Sequence, residues 1–193
     1  MIDGLIEEDS SVLRAERKKS RQFQTWANII IANLFKCMRL IQKSEHELSL
    51  KYAQTIRRIQ KLVDGHRDIA MRSHLHVRNH HKGLLKVQKE EILQAKEMIM
   101  EILLATEETL NRKNIKSYDH LIELDKKLRA FAENLNHKQI ERIRSGESKT
   151  RLSILFYAIV GNFMMISKQN LKLMEIFHDS FGDVDLYSGF DMD

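Results

Sequence analysis

Apolar residues return every three or four positions through most of the chain, the interval that places side chains on one face of an α-helix. The first such run extends from about Ser10 to Lys43, where Phe23, Trp26, Ile30, Leu34, Met38 and Ile41 form a stripe expected to face a core. Ser44 is placed to cap a second helix, and Glu47 to complete a capping box with it. Leu48, Tyr52, Ile56, Ile59 and Val63 make the stripe of that helix, and Gly83 is its expected stop. A third helix carries Leu85, Ile92, Ile99 and Leu103 at near-heptad spacing and should end around residues 111–114. Ser117 opens a fourth through Leu121, Leu124, Leu128, Phe131 and Leu135, ending at the Ser145-Gly146 pair. The fifth spans about Ser148 to His178, with Leu152, Leu155, Ile159, Phe163, Ile166 and Met174 on its inner side.

Short connections between long helices force sequential neighbours to run antiparallel. The expected fold is all-α, an antiparallel bundle of about five helices over residues 1–178, with Trp26, Ile59, Ile99, Phe131, Leu155 and Ile159 in the core. The absence of proline fits such long helices. Residues 179–193 differ in kind, with five aspartates, no lysine or arginine, and Phe181, Leu186, Tyr187 and Phe190 between them. They are expected to form an acidic, flexible C-terminal tail, either a frayed terminus or a segment that docks on a basic surface. The most apolar run, Leu152–Ile166, covers 15 residues and reaches roughly 22 Å, short of a ~30 Å hydrocarbon core. It is expected to be the most buried helix rather than a membrane span.

Composition narrows the function. Apolar residues at 42% supply a core and charged residues at 31% a solvated exterior. The single Cys37 lies in an apolar run, excludes an intramolecular disulfide and points to a reducing compartment. Residues 1–11 are acidic and lack the basic and apolar regions of a signal peptide. The net charge of +5 is unevenly placed: Arg57, Arg58, Lys61, Arg67, Arg72, Arg78, Lys82, Lys86 and Lys89 are opposed within their stretch only by Asp64 and Asp68. A field of that sign attracts an anionic partner, whether phosphate, acidic lipid or an acidic protein face; its plain alternative is a solvated helix face. Nucleic acid is disfavoured, because no zinc-finger spacing, aromatic strand motif or helix-turn-helix accompanies the charge.

Candidate catalytic and metal chemistry is thin. His66, His74, His76, His80 and His81 cluster in the basic stretch, and His76 and His80, four apart, have the spacing to share a helix face as metal ligands. No HExxH accompanies them, and cationic neighbours repel a dication. The pairs Glu90-Glu91 and Glu107-Glu108 are adjacent on a helix, so their members point apart and are expected to solvate a surface. No GxSxG and no glycine-rich phosphate loop is present. The chain is therefore expected to be non-enzymatic, with no cofactor and no bound metal.

The stretch from Gln139 through Glu147, Ser148, Lys149, Thr150 and Arg151 to Tyr157, together with Asn79-His80-His81-Lys82-Gly83-Leu84, resembles the cytosolic PhoU-like regions of bacterial phosphate transporters. The likeness covers about residues 20 to 178. It implies a regulatory or docking domain beneath a sodium- or proton-coupled inorganic phosphate transporter, with the transporter or its transmembrane portion as partner and the inner face of the cell membrane as location. PhoU proteins carry an acidic ExxxD motif that binds metal clusters; here Met164 and Lys168 take the acidic positions, so a metal role is not implied. A basic face also suits an anionic inner leaflet. The alternatives are a general helical protein-interaction scaffold and, further off, a nucleic-acid-binding helical protein using residues 57–89.

Overall fold

The computed structural model describes residues 1–41, 45–112 and 118–181. They form α1 (Ile2–Ile6), α2 (Ser10–Leu40), α3 (His46–Arg78), α4 (Lys86–Arg112), α5 (Tyr118–Arg144) and α6 (Thr150–Phe181), with no strand among the described residues. The five long helices stand where the periodicity places them. Short α1 was not legible in the pattern; it lies over the start of α2, the end of α3 and the start of α4 and adds Ile2 and Leu5 to the core. Asp9 separates it from α2, its carboxylate accepting from the backbone N–H of Ser11 at 2.8 Å and of Val12 at 3.1 Å. The expected capping box at Ser44, the breaks at Asn114 and Ser117, and the tail beyond Phe181 lie outside the described residues.

Helix α6 packs against α3, α4 and α5, and α2 packs chiefly on α3. Contacts between α3 and α6 run in opposite directions along the two chains: Arg58 meets Gln169, Gly65 meets Met165, and Asp68 meets Asn162. Gly65 lies in that contact, and a Cβ there would displace the end of the Met165 side chain and crowd Ile166 Cγ1 at 3.1 Å. Helix α5 is likewise antiparallel to α6, with Gln139 beside Ser153 and Asp125 beside Ser167. Helix α4 runs parallel to it, Thr106 meeting Asn170. Ile92, Ile99, Ile102, Leu121, Leu128, Leu135, Leu155, Phe156 and Ile159 fill the space between. By length and composition α6 suffices to cross a membrane, which its fifteen-residue apolar run alone does not. Its inner polar side chains nevertheless each find a partner on another helix. Ser167 donates to Asp125 at 2.6 Å, Asn162 to Asp68 at 2.8 Å, and Gln169 accepts from Arg58 at 2.8 Å.

Three expectations about the core need correction. Ile99, Leu155 and Ile159 are buried, Ile59 and Phe131 are half-buried, and Trp26 is 58% exposed. Phe23 and Ile30 of the same stripe are also exposed. Helix α2 is the outermost layer and spends one face on α3, through Leu13, Ser20 and Ala27; Trp26 lies to the side of that face. Gly83 is not the stop of α3 either. The helix ends at Arg78, where His80 adopts a left-handed φ of 51°, and His81 N–H and His80 N–H close on His76 O and Val77 O at 3.2 and 3.0 Å.

Burial of three imidazoles along α3 makes stability depend on pH. Burial is the leading cause that lowers the pKa of His66, His74 and His76 below the ordinary 6.5, with Arg17, Arg78 and Arg14 adding to it at His74. The unfolded chain therefore takes up protons near pH 6.5 that the folded chain refuses. Stability is complete above that pH and declines as the pH falls toward the lowered values. The melting temperature should drop between about pH 7.5 and about pH 5, and replacing His66 and His74 with glutamine should flatten that profile.

Candidate functional site

Two stretches far apart in sequence meet where α3 ends and α6 begins. A cleft of about 380 Å³ is lined on one side by His76, His80, His81, Lys82 and Leu85, and on the other by Glu147, Lys149, Thr150, Arg151 and Leu152. An adjoining cleft of about 270 Å³ shares His76, His81 and Arg151 and adds Arg72 and Asn79. The first turn of α6 contains no acidic residue, so the positive end of its dipole faces the cleft unopposed within the helix. Arg151 Nη1 stands 3.4 Å from His81 Nδ1, and the rings of His76 and His81 meet edge to face at 5.3 Å between centroids. Among the described residues Glu147 is the one carboxylate on the cleft wall.

The turn between α5 and α6 is fixed by a buried polar network. Gly146 takes a left-handed φ of 75°, and the Ser148 N–H returns to Arg142 O at 3.0 Å. Gln139, fully buried, donates to Ser148 Oγ at 2.9 Å and to Ser153 Oγ at 3.0 Å. Gln88 donates to Gln139 Oε1 at 2.9 Å while accepting from the Leu85 N–H at 3.0 Å. The network thus ties the α3–α4 connection to the α5–α6 turn. Arg142 extends it, donating to Gln139 Oε1 at 3.2 Å and to Glu91 Oε1 at 2.6 Å, with its guanidinium 5.9 Å from the Phe156 ring centroid. Glu91 therefore does not solvate a surface: it is 5% exposed, and only Glu90 of that pair faces water. Sequence reasoning missed Gln88, Glu91, Gln139 and Arg142, because isolated polar residues on a helix carry no local mark of burial.

The basic stretch is divided by the structure. Arg57 and Lys61 are exposed on α3, whereas Arg58 turns inward to Gln169. Arg67 pairs with Asp64 at 2.9 Å and Arg72 with Asp68 at 2.7 Å, because each acid lies one helical turn before its base. Arg78 lines a third hollow with Glu8, Ser10, Val77, His80 and His81, and Lys82 lines the main cleft. Lys89 is engaged by Ile6 O at 2.7 Å, and Lys86 is exposed. His76 and His80 do not share a helix face, since α3 ends between them. His76 Nε2 is bonded at 2.9 Å to Lys82 O, and His80 is exposed. Among the described residues no three His, Cys, Asp or Glu side chains gather as a metal site. Met164 is half-buried against the core and Lys168 is exposed.

These features define an all-α helical bundle of six interacting helices with a basic cleft at one end. No family model matches the chain, and no curated protein or solved structure matches it.

Two outcomes test this geometry. Arg142→Ala leaves buried Glu91 with only Lys138, 3.8 Å away, as a cationic partner and should cost about 3 kcal/mol in urea denaturation, most of it recovered by the double change Glu91→Leu with Arg142→Met. His80→Gly relieves a left-handed non-glycine residue and should raise stability by about 0.5–1 kcal/mol in the same assay.

Proposed function

We propose that this chain is a non-catalytic helical interaction module that recognises an anionic group of its partner in the cleft between the α3–α4 connection and the start of α6. What carries the assignment is the convergence there of Lys82, His80, His81, Lys149 and Arg151 from two distant stretches, on a wall that includes a single carboxylate. A preformed cationic hollow at a helix N-terminus is suited to phosphate or carboxylate oxygens. The buried network beneath the cleft holds the start of α6 against the α3–α4 connection.

A finer assignment is regulation or docking at an inorganic phosphate transporter, on the cytoplasmic side of the membrane. Its support is the PhoU-like resemblance. The two stretches that carry the resemblance, 79–84 and 139–157, each contribute residues to the cleft wall.

Titration with inorganic phosphate, followed by amide and imidazole NMR shifts, tests the cleft. Saturable shifts at His81 and residues 149–152 are expected. They should fade with salt as the Debye length falls from about 10 Å at 0.1 M to about 3 Å at 1 M. Lys149→Glu with Arg151→Glu should remove them and leave the melting curve within about 0.5 kcal/mol, since both side chains are exposed. Absence of shifts in the wild type would reduce the cleft to a solvated surface. Recruitment of the wild type, and not the variant, to membranes containing a phosphate transporter would favour the finer assignment.

A further inference from the structure

Helix α2 has two apolar faces, and the bundle uses one. Leu13, Ser20 and Ala27 turn to α3, whereas Trp26, Ile29, Ile30 and Leu40 are 58%, 55%, 49% and 85% exposed. Exposed Cys37 lies among them. At about 100° per residue these five positions fall within an arc of about 100°, so they form one continuous face beside the α3 contact. Directly next to that face run Arg14, Lys18, Arg21, Lys36 and Arg39, all exposed. Over Ser10–Leu40 seven basic residues accompany one acidic residue, Glu16.

This charge selects the occupant. A second copy of the chain laid α2 to α2 would bring two such basic stripes together with only Glu16 from each side to offset them, so self-association is opposed. The face is also a poor coiled-coil seam, because Asn33 lies at its centre and Lys36 borders it. An aromatic and aliphatic face with lysine and arginine along its flank matches a bilayer interface. There the apolar side chains enter the boundary of the acyl chains, a tryptophan sits at headgroup level, and the flanking cations meet acidic lipid.

We propose that the Trp26–Leu40 face of α2 docks on the surface of an anionic lipid bilayer, with the helix lying in the plane of the interface. The proposal does not rest on the cleft. Ser10 borders the cleft end of the bundle, and Trp26 lies 16 residues further along α2, about 24 Å away.

Trp26 is the only tryptophan of the chain, so its emission reports this face alone. The full chain would be mixed with vesicles of phosphatidylcholine, with or without phosphatidylserine, and with vesicles carrying brominated acyl chains. With phosphatidylserine present the emission should shift to the blue, brominated lipid should quench it, and the protein should co-sediment. Ile29→Ser with Leu40→Ser should lower the vesicle partition at least about tenfold, as should Lys18→Glu with Arg21→Glu, Lys36→Glu and Arg39→Glu. All these positions are exposed, and circular dichroism checks that the helices remain. Lys149→Glu with Arg151→Glu should partition like the wild type. The proposal is overturned if Trp26 emission ignores the vesicles, if the α2 variants partition unchanged, or if lipid-free protein is a dimer with Trp26 already shielded. Loss of partition in the Lys149/Arg151 variant alone would also overturn it and leave the cleft as the membrane contact.

Discussion

The bundle depends on α6 being satisfied along its whole length. It is the most apolar helix of the chain, but Ser153, Asn162, Ser167, Gln169 and Asn170 interrupt it, and an unpaired polar group in a core costs about as much as a large buried side chain contributes. Each of the five is bonded to a neighbouring helix: Ser153 and Ser167 to α5, Asn162 and Gln169 to α3, Asn170 to α4. Those bonds fix the direction and register of α3, α4 and α5 against α6. A slip by one turn would break all five ties between helices, so the polar ties select one packing among the several that apolar stripes alone would tolerate.

The same constraint builds the cleft. Because Gln139 and Gln88 hold Ser148 and the Leu85 N–H within one buried network, the start of α6 and the α3–α4 connection cannot drift apart. The residues on either side, Lys82 and His81 facing Lys149 and Arg151, are thereby presented at fixed spacing. A left-handed His80 at the corner fits this picture, since strain kept at an exposed turn is a common companion of a binding surface.

Charge and apolar surface are distributed over the two ends of α2 in different ways. Near Ser10 the helix borders the basic hollows through Glu8, Arg78, His80 and His81. Toward Leu40 α3 covers one side of it, and among the described residues Trp26, Ile29 and Leu40 are left exposed. An isolated bundle with that much exposed apolar surface on one helix is incomplete as a solvent-facing object, which is the physical ground for assigning the face a partner.

The sequence by itself determined the helices. Periodicity placed all five long ones within a few residues, because an amphipathic stripe is a local property and nothing in the chain interrupts it. It also showed where cationic residues concentrate. It did not reveal which apolar stripe would be buried: Ile99 and Trp26 look alike in pattern, and only the layering of α2 outside α3 leaves the tryptophan exposed. Nor did it separate Glu91 from Glu90, since a buried ion pair needs Arg142 brought from 51 positions away. Pairings across that distance depend on how helices cross, and the tertiary structure alone decided that the basic loop after α3 and the start of α6 would face each other across one cleft.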